Sequence, residues 1–374
     1  MPLKSIIIIP FVLALITSLS CSPNSSPSAT DADTGTGSSS DTDTDTDTDN
    51  DTDTDTDTDT DCTQPQAVDN CTDGWCQIEP GCFILGSPIT EPCRGAYTEN
   101  QVQVTLTRSF VMSQHEVTQA EWEALGFVNP SKDIGPQKPV VFVNWLEAAA
   151  YANALSTAEG LDPCYDLLDC QGTIGSGCPG DWDGCNANLF VDTYTCEGDP
   201  HRYANWYECP GYRLPTSAEW EYAARAGATT ATYNGDVTTD GNSCQEDAVA
   251  EPIAWYCNNS GDELHPVCGK QPNDWGLYDV FGNASEWIDY VYTGFSMSEN
   301  AGIEGPLIDP IGATPEQDDR RSVKGGSFRI EACYLRAADH IGHDFDTRLL
   351  DSGFRPVRTL NPPPQPDAGV DAGK

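Results

Sequence analysis

Basic residues are scarce in this chain: 18 Lys and Arg stand against 59 Asp and Glu in 374 residues, a formal charge of −41. Thirteen of the acidic groups fall within residues 31–61, and the remainder still carries about −28. Phosphate backbones are bound by clustered cations, so nucleic acid is excluded as a partner. Long apolar runs are missing too. The run from Ile6 to Ile16 is too short to cross a bilayer. No Cys-x-x-Cys pair occurs, and the cysteine spacings match no zinc ribbon or finger. Gly-x-Ser-x-Gly is also absent, which removes the nucleophile elbow of serine hydrolases.

What is present divides the chain by composition. Nine Trp and 38% apolar residues suffice for a sizeable core. Lys4 followed by the Ile6 to Ile16 run predicts a signal peptide over 1–21. Its end, Thr17-Ser18-Leu19-Ser20-Cys21, resembles a bacterial lipobox with Ser18 where Leu is usual, making Cys21 the expected lipidation site and a lipid chain the expected membrane contact. Ser22 in place of Asp points to the outer membrane. Residues 22–61 are Ser, Thr, Asp and Gly, a self-repelling tether, and 361–374 read as a disordered tail. Between them, 62–360 form one domain.

Sixteen cysteines suit an oxidising compartment. Six of them, from Cys164 to Cys209, lie in a Gly- and Asp-rich insertion over 160–211 that lacks periodicity and depends on crosslinks. With Cys21 lipidated an odd number remains, and Cys333, far from any neighbour, is the candidate free thiol.

Regular structure is sparse. Val102 to Thr107 alternates as a strand that Ser109 to Met112 extends, and Val140 to Val143 is a short β-like run. Helices are expected from Thr118 to Leu125, from Trp145 to Leu155, and after Thr216, where Glu219 closes a capping box. The class is α+β with a large irregular fraction.

A set of ordered blocks then carries a resemblance. Gly81-Cys82-Phe83-Ile84-Leu85-Gly86-Ser87, His115-Glu116-Val117-Thr118, and Pro139-Val140-Val141 with Asn144-Trp145 come first. Tyr212-Arg213-Leu214-Pro215-Thr216-Ser217-Ala218-Glu219-Trp220-Glu221-Tyr222-Ala223-Ala224-Arg225 follows, then Gly276-Leu277-Tyr278-Asp279-Val280-Phe281-Gly282-Asn283-Ala284-Ser285-Glu286-Trp287. Gly325-Gly326-Ser327-Phe328 and Gly353-Phe354-Arg355 close the series. Together they resemble the formylglycine-generating enzyme, or sulfatase-modifying factor, family. The resemblance implies one compact domain with a C-type-lectin-like fold. It also implies calcium on the side chains of Asp279 and Glu286 and the carbonyls of Gly282 and Ala284, a set of oxygen donors that suits this ion.

In that family an oxygen-dependent oxidation of a substrate cysteine uses two copper(I)-binding cysteines, three and eight residues beyond the Ser of Gly-Gly-Ser. Those positions here are Ile330 and Leu335. Neither can bind copper. A rebuilt site could use Ser327 and Cys333 as catalytic groups, with copper or iron on Cys333, His340 and His343. The His-x3-His-x-Glu motif of iron-dependent sulfoxide synthases is absent. The expected function is a binding or scaffolding module holding a protein or carbohydrate ligand at the cell surface. The alternatives are an oxygen- or metal-dependent oxidoreductase and a structural envelope component.

Overall fold

The computed structural model describes residue 21 and residues 70–176, 194–294, 306–313 and 320–362. The signal peptide, the tether, the tail beyond residue 362, and Cys178 and Cys185 lie outside those residues.

Three small sheets and three helices make up the described fold. Strands β1 (Cys71–Thr72), β2 (Trp75–Ile78), β5 (Phe110–Ser113) and β11 (Val357–Thr359) form an antiparallel sheet in that order, joining the two ends of the domain. Strands β3 (Gly81–Leu85) and β4 (Val102–Leu106) pair antiparallel, and β7 (Leu307–Ile308) adds in parallel. The third sheet runs β10 (Ser352–Gly353), β6 (Ser285–Val291), β8 (Arg320–Lys324), β9 (Ile341–Asp344). The alternation of β4 is as expected, with Val102, Val104 and Leu106 buried. The segment after it does not extend its sheet: β5 pairs with β2 and β11 instead. Nor is Val140 to Val143 a strand. Pro139 makes an isolated bridge to Thr118, and Phe142 takes a left-handed φ of 63°. That run is apolar because Val140, Val141 and Val143 are all buried in the core.

Helix α1 (Gln119–Ala124) and α3 (Ser217–Arg225) start at capping boxes, Thr118 with Glu121 and Thr216 with Glu219. Helix α2 (Trp145–Ala158) has a third box, Asn144 with Glu147. Strand β6, buried at every residue, divides the core: Trp287 packs with α2, Ile288 and Tyr290 with α3. Two indoles lock this layer reciprocally, Trp145 Nε1 donating to the Ile288 carbonyl at 3.1 Å and Trp287 Nε1 to that of Val143 at 3.0 Å.

Thr216 does double duty, since its Oγ1 accepts from Glu219 N at 3.1 Å and lies 3.0 Å from the Tyr207 hydroxyl. Thr216→Ala should therefore cost about 1–2 kcal/mol in urea unfolding, and Thr216→Ser should restore most of it. Equal losses from the two variants would refute the capping account.

Six disulfides have both ends among the described residues. Two, Cys164–Cys209 and Cys170–Cys196, staple the insertion. Cys333 is not free: it is bonded to Cys93, 240 residues away in sequence.

Candidate functional site

The Gly276–Trp287 block bends so that chemistry-bearing groups meet beneath β6. Arg355 and Glu286, both fully buried, make a bidentate pair, Nε reaching each carboxylate oxygen at 2.8 Å and Nη2 reaching Oε1 at 2.6 Å. Trp220 Nε1 donates to Oε2 at 2.7 Å. Arg355 also holds the Tyr278 carbonyl at 2.9 Å, fixing the bend to the third sheet. Asp279, Gly282 and Asn283 all have left-handed φ. At Gly282 a side chain is impossible, because a Cβ would lie 2.3 Å from the Trp255 carbonyl oxygen.

Four predicted calcium ligands thus fall on one bend, but they are not equally available. Glu286 has both oxygens committed to Arg355 and Trp220. Asp279 accepts from Cys268 N at 2.6 Å through Oδ2, while its buried Oδ1 has no partner. Sequence reasoning missed a third carboxylate, Glu116. Its Oε1 accepts from Ala284 N at 3.2 Å and its buried Oε2 is unpartnered. Burial raises the pKa of both groups. Glu116 is pushed further by the Asp279 charge, and the Cys268 N–H and Arg355 act against the rise at Asp279. A sequence signal existed, since Glu116 stands in the His115-Glu116-Val117-Thr118 block. An oxygen-binding cation fits these leftover oxygens. It does not fit Glu286.

The Gly-Gly-Ser end carries no thiolate pair. Gly326 has φ 69°, and a Cβ there would strike Ile330 Cδ1 and Leu335 Cδ2 at 2.7 Å each. The two positions expected to hold copper therefore do converge on one point, as hydrocarbon tips. Ser327 Oγ donates to Asp351 Oδ2 at 2.6 Å. Cys333, in a 3-10 turn over Ala332–Tyr334, is buried in its disulfide.

The expected Cys333, His340 and His343 metal group is not assembled. Strand β9 carries His343 opposite Arg321, edge-on to Trp287, whereas His340 lies edge-on to Tyr290 and Tyr292. Burial, helped by Lys324, lowers the His340 pKa to about 4, and burial also lowers that of His343. Among the described residues the ligand atoms that do gather, within 4.8 Å, are those of Cys21, His115 and Cys268. Cys21 is bonded there to Cys268, and its backbone N donates to Gln114 Oε1 at 3.0 Å. One sulfur carries either a thioether or a disulfide, so lipid on Cys21 would leave Cys268 without this partner.

Beside Ser327 opens a cavity of about 480 Å³ lined by Lys132, Asp133, Asp262, Glu263, Arg329 and an apolar group of Val141, Leu264, Phe328 and Leu350. Arg329 lies 5.0 Å over the Phe328 ring and pairs with Asp262 at 3.1 Å. An apolar floor under a rim of both charges suits an amphipathic ligand.

Residues 61–360 match the domain described as Sulfatase-modifying factor enzyme 1-like. The formylglycine-generating enzyme of Mycobacterium tuberculosis is 40% identical over 74% of this chain and 95% of its own length. That of Streptomyces coelicolor is 29% identical over 78% and 91%. A chaperone protein, LppX of Paenibacillus barcinonensis, is 32% identical over 58% and 73%. Among solved structures, Treponema denticola variable protein 1 superposes with a TM-score of 0.53 at 28% identity, over 76% of this chain and 95% of that one. PvdO of Pseudomonas aeruginosa shares the fold at a TM-score of 0.54 and 20% identity, over 76% and 94%. With the ordered blocks, the three small sheets and a match across most of its length, this chain belongs to the formylglycine-generating enzyme, or sulfatase-modifying factor, family.

Proposed function

We propose that the chain is an exported, envelope-held binding module of this family that does not carry out copper-dependent oxidation. The observation that carries the proposal is the meeting of Ile330 and Leu335 over Gly326, where two hydrocarbon tips offer copper(I) no donor. The disulfides suit a chain that works outside the cytoplasm. A relative that is named a chaperone supports binding without turnover. The ligand is a polypeptide segment whose apolar side chain enters the cavity over Phe328 and whose charges meet Arg329, Asp262 and Glu263.

Copper(I) titration against a competing chelator should find no tight site, and a cysteine-containing peptide incubated with copper and oxygen should yield no aldehyde. Aldehyde formation would establish the oxidase instead. Panning a random peptide library on the folded domain should return sequences that lose binding in Phe328→Ala. Binders unaffected by that change, or enrichment of sugars alone on a glycan array, would move the ligand elsewhere. The lipid anchor on Cys21 has its own check. Unreduced peptide mapping of the exported chain should find Cys268 alkylated and Cys21 acylated, and a Cys21–Cys268 linked peptide would sink the lipid-anchored reading.

A further inference from the structure

Taking the cavity beside Ser327 as the binding site, we propose that it captures the free C-terminus of a polypeptide. The last side chain lies over Phe328, and the terminal carboxylate sits on Arg329 in the place now held by Asp262. Phe328, Leu264 and Val141 form, with Ala284, a small buried cluster apart from the two large ones. The cavity walls are tied across segments. Ser260 Oγ donates to the Phe328 carbonyl at 2.8 Å, Leu264 N to Asp133 Oδ2 at 3.0 Å, and Val141 N to Ser131 Oγ at 3.0 Å. A site held in shape this way has little to order when a ligand enters.

The charges around the floor sort by depth. The Arg329 guanidinium lies 5.0 Å over the Phe328 ring and its side chain is 41% exposed, whereas Asp262, its partner at 3.1 Å, is 77% exposed. Asp133 is already spent on Lys138 and on Leu264 N. A group descending to the floor therefore meets a guanidinium first, and Lys132 on the same lining is a second cation. A ligand cation would be repelled there. A carboxylate would exchange for Asp262, which gives up only an exposed ion pair of little worth.

Spacing decides which carboxylate it is. The ring and the guanidinium belong to consecutive residues and stack, so the ligand's apolar group and its carboxylate must lie side by side. Along an extended segment neighbouring side chains point to opposite faces, and those on one face are about 7 Å apart. At a chain end the side chain and the carboxylate leave the same Cα. A terminal apolar residue fits the stacked pair better than an internal acidic one. Upstream of it, the displaced Asp262 and Glu263 on the same lining favour a basic residue.

The test pans the exported chain against random heptapeptides displayed with free C-termini, and against the same sequences displayed inside a loop. The first library should enrich more strongly, toward sequences ending in Leu, Ile, Val or Phe. The best of them is then synthesised as the acid, the amide and a form extended by two glycines. Fluorescence anisotropy should show the acid binding at least tenfold more tightly than the other two. Arg329→Gln should erase that preference. Asp262→Asn, which removes the internal competitor, should tighten the acid severalfold, and both side chains are exposed enough that neither change should move the thermal midpoint. Phe328→Ala should weaken all three forms. Binders that depend on Phe328 but ignore amidation would overturn the C-terminal inference and leave the binding-module reading standing. Failure of both libraries to yield a Phe328-dependent binder would overturn both. An Asp262→Asn variant that binds the acid more weakly than wild type would overturn the exchange, because Asp262 would then be a contact and not a competitor.

Discussion

Replacing Arg336 with Met should destabilise the domain by roughly 3–5 kcal/mol, because the change strands buried carboxylates. Arg336 is fully buried and places Nη1 2.8 Å from Glu91 Oε1 and 2.7 Å from Glu99 Oε2. Its Nη2 donates to the Cys93 carbonyl at 2.9 Å and its Nε to that of Cys333 at 3.0 Å, so one guanidinium spans both ends of the disulfide. Burial alone would raise the Glu99 pKa, but the Arg336 hydrogen bonds and charge outweigh it and hold the group at about 2. A carboxylate depressed in the fold stabilises above its unfolded pKa and loses that contribution as pH falls through the folded value. Wild-type protein should therefore keep this contribution at pH 5 and lose it toward pH 2. Arg336→Met should begin to unfold at higher pH, with a midpoint temperature at pH 7 lower by on the order of 10 °C. Glu91→Gln, which leaves the Glu99 pair intact, should cost less. A loss under 1 kcal/mol in Arg336→Met would mean that Glu91 and Glu99 reach water on their own.

These groups also mark where the sequence stops being readable. Thr118 with Glu121 and Thr216 with Glu219 are capping boxes closed within three residues, so local spacing located both helices. The Asn144 and Glu147 box is as local, and it opens the helix expected from Trp145. The family blocks located the bend at Asp279 and Glu286 for the same reason, as contiguous runs. Partners far apart in sequence were beyond reach. Cys333 looked unpaired because Cys93 lies 240 residues away, and Glu116 looked like part of a block because Asp279 and Ala284 meet it only in three dimensions. Val140 to Val143 read as a strand because burial and β-pairing select the same residue types. The fold spends those valines on packing beside a left-handed Phe142.

The insertion also carries a buried histidine paired with carboxylates. His201 stacks on Trp206 with ring centroids 4.3 Å apart, and each ring nitrogen faces a carboxylate, Nδ1 that of Asp199 and Nε2 both oxygens of Asp289 at 2.9 Å. Acceptors on both sides require both nitrogens to carry protons, so the ring is an imidazolium. Tyr165, also from the insertion, donates its hydroxyl to Asp289 Oδ2 at 3.0 Å, and Arg321 is the other charge acting on Asp199. Burial would lower the His201 pKa, but Asp289 and the two hydrogen bonds overcome it and raise it to about 9. A histidine raised in the fold stabilises fully below its unfolded pKa near 6.5 and loses that contribution as pH climbs through 9. The His201 contribution should thus be flat below pH 6.5, and wild-type stability should fall by roughly 3 kcal/mol between there and pH 10. His201→Gln should lie lower at pH 6 and show little of that slope. Because Cys164–Cys209 and Cys170–Cys196 keep the insertion closed on itself, the damage should appear as its undocking from Asp289 on β6, read as faster amide exchange across 194–209 while α3 stays protected. An identical alkaline slope in His201→Gln would assign the pH dependence to other groups and reduce His201 to a packing residue beneath Trp206.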